Sequence, residues 1–263
     1  MFLFRIYLRL QLKILAKLAI RKHKMELIVI SGWYGTEVAK ELLYDVISKQ
    51  NGIKVRRNIK EVWWDFTIPL SILGYRDRKR NFIEWWWLLT RAWTYLILGP
   101  SNPHTLILSV DSNVESIVKY WGSFIKPDIL LVLNDNEDKL IIEKLIKNVD
   151  KEKGMIIYND DTLRKSLKKL LKKHSTFTYG RDKGNDLVVK QNKQSIEMKY
   201  KKSQIKINTK NLRGFSDLIL GGITATALSL EINIEDIGFE AVKFQIPTRL
   251  LAKIKSNLIE DKL

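Results

Sequence analysis

Residues 25–50 read MELIVISGWYGTEVAKELLYDVISKQ, and the fold follows from how this stretch divides. Residues 27–31 form a short continuous apolar run of strand type. Gly32 and Gly35 bound a tight loop. From Thr36 onward Val38, Leu42, Leu43, Val46 and Ile47 recur at helical spacing. Strand, glycine-bounded loop and helix, in that order, build a cradle whose backbone N–H groups and helix N-terminus face an anion. A loop that works on a nucleoside triphosphate also carries Lys, then Ser or Thr, directly after its last glycine. The Lys reaches the terminal phosphates and the hydroxyl binds Mg²⁺. Here those places hold Thr36 and Glu37. Glu37 sets a carboxylate where phosphate belongs. The frame of a nucleotide enzyme is legible, and its chemical head is missing.

Working outward, residues 104–110 (HTLILSV), 128–133 (DILLVL) and 155–158 (MIIY) repeat the continuous apolar strand pattern. Helical patterns separate them at 114–124, 137–149 and 162–173. Residues 53–55 suggest a further strand, and 66–73 and 82–98 two more helices. Apolar strands alternating with helices predict a mostly parallel sheet covered on both faces. Ligands of such sheets bind beyond the C-terminal strand ends. Gly32–Gly35, Asp111 and residues 134–138 therefore share one rim. Asp111 reads as the N-cap side of the helix after it, or as an acid at the rim. From residue 175 the rhythm changes to short strands at 176–179, 186–190, 195–200 and 204–208, read as an antiparallel meander. Helices at 214–230 and 234–242 follow, then a polar, Lys-rich tail at 251–263.

The chain has 263 residues, is 45% hydrophobic and contains no cysteine. One large α/β domain fits that size. Disulfides and thiolate metal sites are excluded, and a reducing cytosol fits. His23, His104 and His174 share no metal spacing and read as structural or surface residues. Net charge is +17. Two readings stand: an anionic partner, or a Lys-rich composition with no functional meaning. No nucleic-acid motif is recognisable.

Residues 1–24 carry Arg5, Arg9, Lys13, Lys17, Arg21, Lys22 and Lys24 and no acid. The first five recur every four residues as a basic row on an otherwise apolar helix. A charge in every turn argues against a membrane span. The lack of an uninterrupted apolar segment argues against a signal peptide. A basic amphipathic helix of this kind lies on an anionic membrane surface, or packs its apolar face on the domain. In the second case Leu8, Leu12, Leu15 and Ala19 face inward and the basic row faces solvent. Trp85, Trp86 and Trp87 are consecutive, so they point about 100° apart and cannot share one core. The N-terminal helix is the expected cover for the surplus rings.

From about residue 15 to residue 250 the sequence resembles the central, ATP-binding domain of the Mur ligases, most of all the branch that adds D-Ala-D-Ala in peptidoglycan synthesis. IVISGWYGTEVAKELL (28–43) is similar to the family's ITGSxGKTxTKExL loop. WWDFTIPLSILG (63–74) is similar to NNEIGxPLTLLG. Residues 104–140 are similar to the run from VLExG to the PDI strand, and GMIIYNDD (154–161) to the family's Asn-Asp-Asp strand end. TFTYG (176–180), ATALSLEINIEDI (225–237) and FQIPTRL (244–250) match later stretches in the right order. The resemblance implies a P-loop-like α/β domain at residues 25–250, preceded by the basic helix of residues 1–24. It also implies an activity in which a carboxylate is activated as an acyl phosphate and attacked by an amino acid's amine, with ATP and Mg²⁺.

The departures fall on that chemistry. By the resemblance, Thr36 stands for the phosphate-binding Lys and Glu37 for the Mg²⁺-binding Thr. Ser109 stands for a Mg²⁺-binding Glu, and Lys139 for a His. Trp63 and Trp64 replace paired Asn residues, with Asp65 in the place of the Glu that follows. The segment bearing a carbamoylated Lys has no counterpart, and an adenine-contacting Asn falls near Ile219. Gly32, Gly35, Asn134, Asp160, Asp161 and Arg249 are kept as nucleotide-binding candidates. The family's C-terminal domain has no counterpart, and its N-terminal substrate domain is reduced to one helix. Phosphoryl transfer is positioning and charge stabilisation by Lys and metal, so their joint loss weighs heavily. The expectation is a degenerate Mur-ligase-like module that binds or scaffolds, with no confident cofactor and ATP and Mg²⁺ held weakly at best. Its expected partner is a cell-wall enzyme or another protein, and its expected place is the cytoplasm or the inner face of the membrane. The alternative is a divergent ATP-dependent amide-forming ligase subunit completed by a partner chain.

Overall fold

The structure is a computed structural model that describes residues 2–32, 35–59, 65–110, 114–134, 140–161, 163, 165–208 and 216–245. Its frame is a sheet in the order β2-β3-β1-β4-β5-β6-β7-β8-β9. β1 (Glu26–Ser31) sits between β3 (Thr105–Ser109) and β4 (Ile129–Val132), all parallel. β5 (Met155–Asn159) continues the parallel run beyond β4, so the four apolar strands are adjacent as the sequence predicts. They are buried throughout or nearly so, because each faces helices on both sides.

The side-chain alternation of β1 explains the two layers. Ile28 and Ile30 point into a core shared with α2 (Thr36–Ser48), α8 (Asp217–Ser229) and α9 (Ile234–Lys243). Leu27 and Val29 point into the opposite core, shared with α1 (Phe2–Lys22), α3 (Thr67–Leu73), α5 (Glu115–Trp121), α6 (Leu140–Asn148) and α7 (Lys165–Leu171). A third cluster joins α1 and α3 to α4 (Phe82–Leu98) through Leu8, Leu12, Leu70, Trp85 and Leu88.

Three expectations are corrected. The second strand, β2, covers Val55–Arg57 and not 53–55. β6 (Ser175–Gly180) pairs in parallel with β5 along its length, so the antiparallel part begins only at β7 (Leu187–Gln191). β6 also pairs with β7 in parallel, over just Tyr179–Leu187 and Gly180–Val188. A full parallel pair needs a crossover of about a dozen residues or more, and the connection here is far shorter. β7, β8 (Ser195–Tyr200) and β9 (Ser203–Asn208) then form antiparallel hairpins. Third, α1 does dock with Leu8, Leu12, Leu15 and Ala19 buried. Its basic row, however, is not free in solvent throughout: Arg9 is half-buried, and it and the exposed Arg5 both pair with the buried carboxylate of Asp65. Nor does α1 cover the surplus rings, since Trp86 and Trp87 are 62% and 64% exposed.

Candidate phosphate loop

At the C-terminal end of β1 the chain passes through Gly32 directly beside the end of β4. A Cβ on Gly32 would stand 3.1 Å from the Asn134 carbonyl oxygen and 3.3 Å from Asn134 Oδ1. Gly35 then turns the chain into α2 with φ +77°, a left-handed conformation that glycine adopts without strain. A Cβ there would also meet Ile219 Cδ1 at 2.6 Å. So Ile219, at the position where the family resemblance implies an adenine-contacting Asn, packs onto the loop's last glycine.

The first turn of α2 supplies the site's charge. Thr36 is buried. The Glu37 carboxylate accepts a hydrogen bond from Ser109 Oγ at the end of β3 and another from Lys40 Nζ at 2.6 Å. Lys40 has no exposed side-chain surface, so its ammonium is satisfied inside the protein or not at all. It also lies 3.7 Å from Glu41 Oε1. Glu41 in turn stands 2.9 Å from Arg57 Nε, and the Arg57 guanidinium lies 3.7 Å from the centre of the Tyr44 ring. Two carboxylates and two cations thus close a neutral circuit across α2, β2 and β3. Asn58 fixes the other side of Ser109: its Oδ1 accepts from Ser109 N at 2.9 Å, and its Nδ2 donates to Ser109 O at 3.4 Å.

Of the candidates named from sequence, the structure brings Gly32, Gly35, Thr36, Glu37, Ser109 and Asn134 to one stretch of the rim. Asp160 and Asp161 follow β5, further along the same rim, with partners of their own. Asp160 pairs with Lys168 at 2.7 Å, and Asp161 Oδ2 accepts from Arg181 N at 2.9 Å. Lys139, Arg249, Asp111, Trp63 and Trp64 lie outside the described residues, as does most of the segment at 134–138. Sequence reasoning passed over Lys40, Glu41, Arg57 and Asn58. The available signal was Lys40-Glu41 on the apolar side of α2, where a charged pair requires internal partners.

A Mg²⁺–triphosphate does not fit these residues as arranged. The carboxylate that would have to accept or leave the metal is already engaged by a hydroxyl and an ammonium. The position that the resemblance implies for an acidic ligand holds Ser109, whose hydroxyl donates to that carboxylate. Among the described residues no three His, Asp or Glu groups converge to hold a metal ion.

No family model and no curated protein matches the sequence. The likeness is one of structure. MurF from Acinetobacter baumannii superposes with a TM-score of 0.70 at 14% identity, over 91% of this chain and 51% of that one. MurF ligase from Thermotoga maritima, solved in complex with ADP, gives 0.64 at 18% identity, over 90% and 53%. A pseudomurein peptide ligase type C from Methanothermus fervidus gives 0.54 at 12%, over 87% and 51%. The chain spans about half the length of these proteins. Its mostly parallel sheet, with the glycine-bounded loop after the central strand and antiparallel strands at the far edge, is the fold of the Mur ligase central domain.

Proposed function

We propose that this chain is a binding or scaffold module on the Mur ligase fold, without amide-ligase activity of its own, serving cell-wall synthesis beside an active partner enzyme. The solved proteins of this fold are named as ligases of muramoyl peptides and of pseudomurein peptides. The D-Ala-D-Ala-adding branch is the family neighbourhood that the motif order supports. One observation carries this reading: the Glu37 carboxylate, in the first turn of α2 just after the loop's last glycine, is already engaged by Ser109 and Lys40. An incoming phosphate meets a fixed negative charge, and the ammonium that would attract it is already neutralised. Losing one transition-state contact of this kind typically costs about 3 kcal/mol of barrier, and here several go together.

The test is calorimetric titration of the chain with ATP, with and without Mg²⁺. The expected dissociation constant is weaker than about 1 mM, equivalent to about 4 kcal/mol of binding, with no Mg²⁺-dependent hydrolysis. Thr36→Lys with Glu37→Thr removes the tethered anion and adds the missing cation on an unchanged backbone. That variant is expected to bind ATP at least about tenfold more tightly.

A second reading, an amide-forming ligase subunit completed by a partner chain, draws on two features. The close approach of Gly32 to Asn134 is intact. The Ser31 hydroxyl, buried at the end of β1 beside the loop, has no hydrogen-bond partner among the described residues. A micromolar ATP constant for the unmodified chain would favour this reading over the first.

A further inference from the structure

α1 and α4 lie side by side and run in the same direction across the outside of the domain. The Phe4 and Phe82 rings meet at 5.1 Å near their starts. Trp93 Nε1 donates to Gln11 Oε1 at 3.2 Å in the middle, and Lys22 Nζ donates to Leu96 O at 2.5 Å near their ends. Each helix buries one apolar stripe, through Leu8, Leu12 and Leu15 on α1 and through Trp85, Leu88 and Leu89 on α4. At about 100° per residue the opposite stripe of each helix faces away from the domain. On α1 that outer stripe is again apolar, with Leu3, Ile6, Leu10 and Ile14 all exposed. On α4 it carries Trp86, Trp87, Ile97 and Leu98, the last 80% exposed. Single exposed apolar side chains need no explanation. Two adjacent helices that both turn a second apolar stripe outward expose more apolar surface than scattered side chains do, and such surface marks an interaction site.

Charge selects the occupant. α1 contains no acid, and Lys13, Lys17 and Arg21 stand among its outward residues. Arg91 is exposed on α4, while Glu84 is held by Arg78 at 3.0 Å and caps the helix start. A second copy of this chain would bring an equally basic face against it. Among the described residues no helix is long and apolar enough to cross a bilayer. Tryptophans and aliphatic side chains bordered by Lys and Arg are the composition of a surface that rests in the headgroup region of an anionic bilayer. We propose that the outer face of the α1–α4 pair docks on an anionic lipid surface, with Trp86 and Trp87 in the interface and the α1 bases over the lipid phosphates. The proposal is independent of whether the phosphate loop binds nucleotide.

The experiment is co-sedimentation of the full chain with phosphatidylcholine vesicles, with and without a phosphatidylglycerol fraction, while tryptophan emission is followed. Expected are at least about tenfold more bound protein on the anionic vesicles, salt sensitivity, and a blue shift on binding. Trp86→Glu with Trp87→Glu should abolish the binding and the shift, and circular dichroism checks that the fold is kept. Lys199→Gln with Lys202→Gln changes the net charge equally on the distant β8–β9 hairpin and should leave binding in place. Equal binding to both vesicle types, no binding at low salt, or equal weakening by the two double variants would overturn the proposal. So would a dimer in light scattering that the tryptophan substitutions dissociate, which would assign the face to a second copy.

Discussion

His23 and His104 come from the end of α1 and the start of β3, and their rings meet at 6.4 Å under α4. Asn102 stands between them, its N–H donating to His23 Nδ1 at 3.1 Å and its carbonyl 2.7 Å from His104 Nδ1. Arg56 Nη1 lies 3.2 Å from His104 Nε2. Those partners call for neutral rings, with a lone pair on His23 Nδ1 and on His104 Nε2. A further proton on either would face a donor. Burial is the main cause that holds both imidazoles below their ordinary value of 6.5; His104, Lys22 and Arg56 add to it at His23, and Arg56 and Lys54 at His104, although the bond from His104 to the Asn102 carbonyl works the other way. The folded state therefore binds fewer protons than the unfolded chain. Stability is complete above about pH 6.5 and falls as the pH drops below it. Urea midpoints measured from pH 7.5 to 5 should decline, and His23→Gln with His104→Gln should flatten the slope in that window. Nothing in the spacing of the two histidines foretells their meeting, because tertiary docking of α1 onto β3 creates it. The Glu37 half of the candidate site was legible, since a carboxylate after the last glycine contradicts a phosphate loop on its face. Ser109 was legible as a rim residue through the family resemblance, but its partnership with Glu37 was not, and Lys40 was passed over because a sequence shows a buried charge only as a polar residue in an apolar stripe.

At the scale of elements, the basic row of α1 shows how a regular spacing misleads. Four residues advance a helix by about 400°, so each step of four drifts about 40° and five members spread over about 160°. The row starts near the buried face and ends on the outer one. Arg5 and Arg9 reach Asp65, which has no exposed side-chain surface, while Lys17 and Arg21 remain outside. Trp121 Nε1 donates to the Asp65 carbonyl and Tyr120 Oη to the Arg9 carbonyl, each at 2.9 Å, so α5 closes the same junction. The partners are unequal: the carboxylate is trapped and the guanidinium groups can reach water. Arg9→Gln, which leaves a buried charge with one half-exposed partner, should cost about 3 kcal/mol. Asp65→Asn, which leaves no buried charge, should cost nearer about 1 kcal/mol. Denaturant unfolding of the two variants gives the comparison, and an equal loss would contradict it. Elements whose register is fixed by continuous burial, such as β1, β3, β4 and β5, were legible in the sequence. The direction of β6 was not, because a six-residue alternating run reads alike in a parallel and an antiparallel neighbour.

For the whole molecule, the sheet divides into a centre enclosed by helices on both faces and an edge of hairpins. β9 has one buried residue, Ile207, where β3 is buried along its whole length. Local opening follows such differences in apolar enclosure. Hydrogen exchange should be slowest in β1, β3, β4 and β5 and distinctly faster in β8 and β9. Uniform exchange across the described strands would contradict this division.

The seat that Glu37 takes between Ser109 and Lys40 has a further consequence. A loop that waits for a soluble phosphate gains stability with the logarithm of nucleotide concentration, by mass action on the folded state. A carboxylate that belongs to the chain cannot be diluted or hydrolysed away. The first turn of α2 thus carries its own counterion, and what that contact contributes to stability does not vary with the concentration of any solute.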